Sequence, residues 1–240
     1  MARFSVTQAR KSMTWSSLAL INLGLCLSMG TAHALQPFSA DYRFSIDNRW
    51  NGESTRTLQK QADDWVYVFT ARVPVLANAT ETTRFQLDAQ RNVISKSHQL
   101  RYKILVRTKN TELAFDHDKQ QVIATVGRER RQFTLQPNTL DELNLEFQVR
   151  EDLKKGSLKP QYWVADDKKI EAVRFVREGR EKMTVAAGSY DTVRVRRVHN
   201  NPKRTTTFWL APSLDYLPVR VTQNDDGTIY DFQLTRYQPN

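Results

Sequence analysis

The 240-residue chain has one cysteine, Cys26, with only 8 glycines, 8 prolines and 4 histidines. A single thiol excludes an internal disulfide framework and a multi-thiolate metal site. The histidines, at 33, 98, 117 and 199, include no pair at metal-ligand spacing and no H-E-x-x-H. There is no G-x-S-x-G elbow and no S-x-x-K nucleophile motif. The glycines are too scattered to make a phosphate-cradling loop. Long apolar runs are also missing. The one such stretch, Leu18–Met29, is interrupted by Asn22, Gly24 and Ser28 and falls short of the ~18 residues a spanning helix needs.

That stretch has a different use. Arg3, Arg10 and Lys11 precede it, and Ala32-His33-Ala34 follows it, so residues 1–34 are expected to be a signal peptide cleaved after Ala34. An uncleaved anchor is the competing reading. Lipidation at Cys26 is disfavoured by the bulky Leu25 before it. Cleavage would leave residues 35–240 without a thiol, held by their core alone. A chain of that size buries roughly 70% of its unfolded surface, enough for one domain. Three of the 36 basic residues and none of the 26 acidic ones lie in 1–34, leaving 33 against 26, a net charge of +7. For an exported chain the available polyanions are phospholipid headgroups, lipopolysaccharide and other envelope polymers, not nucleic acid. The alternative is that lysine and arginine simply coat the outer strand faces.

What the chain does have is alternation. Phe38, Ala40, Tyr42, Phe44 and Ile46 alternate with polar residues, the period of a half-buried strand. Asn51-Gly52 reads as the next hairpin turn. Trp65–Val73 is apolar on both faces, with Trp65, Tyr67, Phe69 and Val73 on one and Val66 and Val68 on the other. Leu100, Tyr102, Ile104 and Val106 share a face within Val93–Arg107. Turn signals recur about every ten residues, as in an all-β sandwich or barrel. One segment differs. Thr139-Leu-Asp-Glu142 has capping-box form, and Leu140, Leu143, Phe147 and Leu153 roughly keep helical spacing up to Gly156. A helix over about 140–155 is predicted to pack on the sheet or close one end of a barrel. It would join two meander halves, 35–135 and 160–240. In the last strand Tyr230, Phe232 and Leu234 are expected to face inward.

The stretch Gly179-Arg180-Glu181, Ala187-Gly188-Ser189-Tyr190-Asp191-Thr192-Val193, Phe208-Trp209-Leu210 and Tyr216-Leu217-Pro218-Val219-Arg220 is similar to a bacterial exported family, domain of unknown function 3108. Phe38-Ser39-Ala40-Asp41-Tyr42 and Leu140–Gly156 extend the similarity more weakly. This chain has Ala186 where that family often has proline. The resemblance implies a periplasmic, mainly β domain of antiparallel meanders, in which Gly188, Trp209, Tyr216 and Pro218 are structural. It brings no activity, cofactor or catalytic residue. Because Pro218 lacks an amide donor, its strand should lie at an edge or be entered through a bulge.

Two candidate surfaces follow. Trp65, Tyr67, Phe69, Tyr102 and Trp209 could line an apolar ligand face in a curved sheet. Arg194, Arg196 and Arg204 could form an anion-binding face, or else be neutralised by acids on neighbouring strands. Asp116-His117-Asp118 reads as a solvated turn rather than a metal site. The reading that results is a non-catalytic envelope module for a lipid-like or amphipathic ligand. The alternative is a structural or assembly factor acting through protein contacts. An enzyme would need His98 or His117 gathered with a carboxylate in a cleft, which sequence does not display.

Overall fold

The computed structural model describes residues 35–240; the expected signal peptide, residues 1–34, lies outside the described residues. In chain order the strands are β1 (Phe38–Ile46), β2 (Trp50–Gln61), β3 (Asp64–Val73), β4 (Ala77–Leu87), β5 (Val93–Ile104), β6 (Arg107–Asp116), β7 (Gln121–Val126) and β8 (Glu129–Thr134). The helix α1 (Glu142–Lys154) follows, then β9 (Tyr162–Ala165), β10 (Ile170–Val185), β11 (Gly188–Val198), β12 (Arg204–Ala211), β13 (Leu217–Asp225) and β14 (Thr228–Pro239). All fourteen form one antiparallel sheet in the order β8-β7-β6-β5-β4-β3-β2-β1-β14-β13-β12-β11-β10-β9. The two meanders therefore meet in mid-sheet, where β1 pairs with β14.

Flat, fourteen strands about 4.8 Å apart would span roughly 60 Å, far beyond the reach of a helix about 10 Å wide. Yet α1 touches both halves. Phe147 packs on Tyr67 and Phe85 with centroids 6.0 and 4.8 Å away, and Arg150 donates to the Asp215 carbonyl at 3.1 Å. The sheet is thus curled around the helix. Its free edges are bridged without strand pairing. Leu140 docks on β9 through Leu140 N–H to Trp163 O and Ala165 N–H to Leu140 O, and Lys109 on β6 meets Asp167 at 2.7 Å. A small cluster of Leu113, Phe115, Val122, Ala124 and Leu135 with Ala165 fills this seam.

The helix is not the amphipathic cover that its spacing predicts. Ten of its residues are buried, including Asn144, Gln148, Arg150, Glu151 and Asp152. Burying such groups unpaired would cost several kcal/mol each, and nearly every one has a partner on a strand or a strand connection. Asn144 donates to Ser95 Oγ (2.9 Å), Gln148 accepts from Val93 N–H (2.7 Å), Glu151 accepts from Arg91 (2.6 Å) and Asp152 from the Tyr162 hydroxyl (3.0 Å).

Three local expectations are corrected. The N-cap is Asp141 rather than Thr139: its carboxylate accepts from the amides of Leu143 and Asn144, while Thr139 bonds to Gln136. The first hairpin turns at Asp47-Asn48, both in the left-handed region, and not at Asn51-Gly52. Gly52 lies inside β2, where a Cβ would overlap the Phe44 ring and sit 2.6 Å from the Arg72 carbonyl oxygen. The segment predicted as Val93–Arg107 breaks at Leu105 into β5 and β6. Pro218 sits on a central strand and is accommodated by a bulge in that strand: Trp209 pairs with Arg220 and Leu210 with Pro218, leaving Val219 as the extra residue.

Asp141 is fully buried, and burial pushes its carboxyl up, held back by His98, the Asn144 amide and the Thr83 hydroxyl. It also accepts from Thr83 (2.8 Å) and the Asn144 side chain (2.7 Å). Asp141→Ala removes the cap and strands two buried donors, an expected loss of about 2–4 kcal/mol. Asp141→Asn keeps an accepting oxygen and should lose only about 1 kcal/mol. Urea denaturation of the two variants checks the difference.

Candidate functional site

Strands β11 to β14 build one wall in rungs. Val195, Phe208, Val221 and Phe232 are successive cross-strand partners, and Phe232 continues to Phe44 on β1, the two rings stacked at 4.7 Å. Two residues nearer the β11–β12 hairpin, the rung is Phe175, Arg197, Thr206 and Gln223. One rung further, Arg204 faces Asp225. Strand side chains alternate in period two, so these rungs share a face. That wall grades from apolar to charged toward the hairpins. The opposite wall is a stripe of α1, Glu142, Leu145, Glu146 and Val149, at helical spacing. Phe69, Arg56 and Glu81, from β3, β2 and β4, complete a cavity of about 260 Å³.

At its inner end Arg56, 8% exposed, donates through Nε and Nη2 to Glu146 Oε2 at 3.3 and 3.1 Å. The Tyr67 hydroxyl donates to Glu146 Oε1 at 2.8 Å. The guanidinium lies 4.8 Å from the centroids of both the Tyr42 and Phe69 rings. Burial alone would lower the Arg56 pKa, but the facing Glu146 outweighs it and holds the arginine charged. Burial and Glu146 together push the Tyr67 hydroxyl up, so it stays a donor. Arg56 Nη1 is buried without a partner among the described residues.

At the mouth, Arg197 grips Glu142 in a two-bond pair at 2.8 and 3.0 Å. Arg204 is half-exposed and only loosely held by Asp225, at 3.5 Å. His199 lies 2.9 Å from the Thr206 hydroxyl, and burial, then Arg197 and Arg204, lower its pKa so that it is neutral at pH 7. His98 Nε2 is 2.8 Å from Glu81 Oε1, so the histidine–carboxylate pairing sought in the sequence does occur. Glu81 lines the cavity, whereas His98 is buried on β5 beside a separate shallow groove with Glu112 and Arg130. His117 is bonded to the Ser95 carbonyl at 2.7 Å.

The sequence-predicted surfaces do not assemble as sets. Of Trp65, Tyr67, Phe69, Tyr102 and Trp209, only Phe69 lines the cavity. Tyr67 is core, Trp65 lies under Lys60 at 5.2 Å, and Tyr102 sits on β5 opposite Ala79 and Lys109. Trp209 takes the outer face, where its indole N–H donates to Glu181 at 2.8 Å and Arg220 covers its ring. Arg194 and Arg196 are also outer and are neutralised by Glu178 and Glu181, the alternative weighed for them. Only Arg204 stands at the mouth, joined by Arg197. Phe175, Phe208 and Arg197 were not among the candidate face residues, although strand parity places Phe208 and Arg197 opposite Trp209, Arg194 and Arg196. The family-motif residues form corners. Gly188 (φ 136°) leaves the β10–β11 turn, Tyr216 (φ 58°) re-enters β13, and the Pro218 carbonyl accepts from the Tyr42 hydroxyl at 2.8 Å.

These features define a barrel-like, single-sheet β domain wrapped on a buried helix. A β-barrel-like protein of domain of unknown function DUF1849 from Brucella abortus shares it, with a TM-score of 0.57 at 12% identity over 86% of this chain and 98% of that one. The family model for proteins of unknown function DUF3108 matches residues 38–234, and the chain belongs to that family. A chain from Parabacteroides distasonis ATCC 8503, described as "a putative lipoprotein", aligns at 10% identity over 85% of this chain and 96% of that one, with a TM-score of 0.35. No curated protein matches the sequence. No helix among the described residues is long and apolar enough to cross a membrane.

Two predictions follow from the ionised groups. Glu146→Ala leaves the Arg56 charge buried without its partner, an expected cost of about 3–5 kcal/mol, whereas replacing both residues with apolar ones should be far milder. Chemical denaturation of the single and double variants reads this. For His98, burial lowers the pKa, but the Glu81 hydrogen bond and the charges of Asp141, Glu81 and Glu142 raise it overall above the ordinary 6.5. Its protonated form is favoured by folding. That stability is fully present below the ordinary value and lost as pH rises through the raised one. His98→Gln should flatten the denaturation midpoint over this window, measured against pH.

Proposed function

We propose that the protein is an exported, non-catalytic binding module that holds a lipid-like, amphipathic ligand in the cavity between α1 and strands β10–β14. The supporting observation is the polarity gradient of the wall. Phe69, Phe208, Val221 and Phe232 offer an apolar interior, and Arg197 and Arg204 offer cations at the mouth. An acyl or other hydrocarbon chain inside would place an anionic head beside Arg204, whose present partner is weak. About 260 Å³ is small for a ligand pocket, which favours one chain or a compact amphiphile over a whole multi-chain lipid. The leader-like residues 1–34 support a periplasmic setting, where such ligands are abundant.

The test is displacement of a fluorescent fatty-acyl probe, with native mass spectrometry of protein purified from the periplasm. Val221→Trp fills the lumen and should weaken the probe at least ~10-fold, with the fold retained by circular dichroism. Arg204→Gln should weaken an anionic probe ~5-fold or more and leave a neutral one unchanged. Absence of a co-purifying amphiphile, together with absence of probe binding, contradicts the reading and favours a surface-acting assembly factor.

A further inference from the structure

In an antiparallel meander every odd-to-even connection lies at the same rim of the sheet, so the hairpins after β1, β3, β5, β11 and β13 share one rim. Seven large apolar side chains are exposed among the described residues, and six are at this rim. They are Trp50 beside the first hairpin, Val75 between β3 and β4, Ile104, Leu105 and Val106 between β5 and β6, and Ile229 after the last hairpin. Val75 and Val106 are almost fully exposed, at 97% and 92%. These hairpins are knitted in pairs. Leu105 N–H donates to Leu76 O at 2.8 Å, and Asp47 N–H donates to Ile229 O at 2.8 Å. The cavity mouth, with Arg204 opposite Asp225, opens beside the last of them.

Water does not favour apolar side chains presented singly at the crests of fixed hairpins, and their gathering on one rim marks an interaction surface. The charge pattern says with what. The two central tips read Arg-Val-Pro-Val-Leu-Ala-Asn (72–78) and Arg-Tyr-Lys-Ile-Leu-Val-Arg-Thr-Lys (101–109), with five basic residues and no acidic one. Lys109 is engaged by Asp167, while Arg72, Arg101, Lys103 and Arg107 make no ion pair among the described residues. At the neighbouring hairpins Asp225 and Asp226 are already matched by Arg204 and Lys203, Asp47 accepts from the Ile229 amide at 2.7 Å, and Glu53 lies opposite Arg72 in register, so the basic residues still outnumber the free acids. Apolar crests above a cationic collar are the complement of an anionic bilayer: the crests enter the acyl boundary and the collar meets the phosphates. A second copy of this chain is a poor occupant, because two such rims would oppose ten basic side chains. We infer that the rim carrying Val75 and Leu105-Val106 is a docking edge for an anionic phospholipid surface, independent of what the cavity holds.

The test is co-sedimentation of the purified protein with phosphatidylglycerol-containing vesicles and with phosphatidylcholine vesicles, across a salt series. Binding is expected to the anionic vesicles only and to weaken with salt. Neutralising Lys103 or Arg107 as Gln should weaken it about fivefold each. Val75→Asp with Val106→Asp should abolish it while leaving the melting temperature and acyl-probe affinity unchanged, since both side chains lie in water. Trp50, half-exposed at the rim, gives a second readout through a blue shift of its emission that the double variant loses. The lumen-filling Val221→Trp should keep vesicle binding, although it loses the probe. The inference is overturned by equal binding to both vesicles, by no binding to either, or by a Val75/Val106 variant that binds normally. It is equally overturned if Val221→Trp abolishes vesicle binding, which would assign the effect to the cavity, or if the Asp variants change the oligomeric state instead.

Discussion

The structure depends on the satisfaction of a polar helix inside a β shell. Helix α1 carries Asn144, Glu146, Gln148, Arg150, Glu151 and Asp152 into an interior where an unpaired charge costs several kcal/mol. Their partners come from strands and connections far apart in sequence: Ser95, Arg56 with Tyr67, the Val93 amide, the Asp215 carbonyl, Arg91 and Tyr162. No surface site could supply donors and acceptors from so many directions. The sheet must therefore curl around the helix, and the helix can occupy only one depth and rotation within it. Such contacts contribute less to net stability than an apolar core of the same volume would, and more to the uniqueness of the arrangement, as apolar packing alone tolerates sliding.

The cavity is a consequence of that fixed placement. With Asn144, Gln148 and Asp152 committed toward β5 and β9, the stripe Glu142, Leu145, Glu146 and Val149 turns toward β10–β14. The phenylalanines of those strands approach it without filling the space. Arg56 and Glu146 then serve two ends: they lock the helix to β2 and place a matched charge pair at the inner end of an otherwise aromatic chamber. The outer faces of the same strands carry ion pairs, Arg194 and Arg196 with Glu178 and Glu181, and Arg220 with Asp231. Arg72, Arg101, Lys103 and Arg107, near the hairpin rim, make no ion pair among the described residues.

Much of the β architecture was legible because period-two alternation is imposed by the pleat and survives whatever the tertiary context. β1 matches the alternating run Phe38–Ile46, and the inward face of β14 at Phe232 and Leu234 could be read directly. The site was less legible, and the errors have physical causes. Trp209 looked the more informative aromatic in Phe-Trp-Leu, yet alternation gives only the parity of a strand, and Phe208 shares its face with the buried Leu210. The same parity sets Arg197 apart from Arg194 and Arg196. Asn51-Gly52 carried a turn signal, but Gly52 is required by the close approach of Phe44 and the Arg72 carbonyl. The helix was visible from its spacing, whereas its true cap and its depth were not. A segment rich in Glu, Asn, Gln, Arg and Asp reads as a surface helix until the strands that satisfy it are known.

Hydrogen exchange of the α1 amides tests this account most directly. If the helix is the element around which the sheet is curled, the amides of Leu145–Leu153 exchange only when the whole domain unfolds, with protection equal to that of the β1 and β14 ladder. A helix laid on the sheet from outside would open on its own. Protection of α1 well below that of β1 and β14, under conditions where the sheet stays intact, would contradict the central claim.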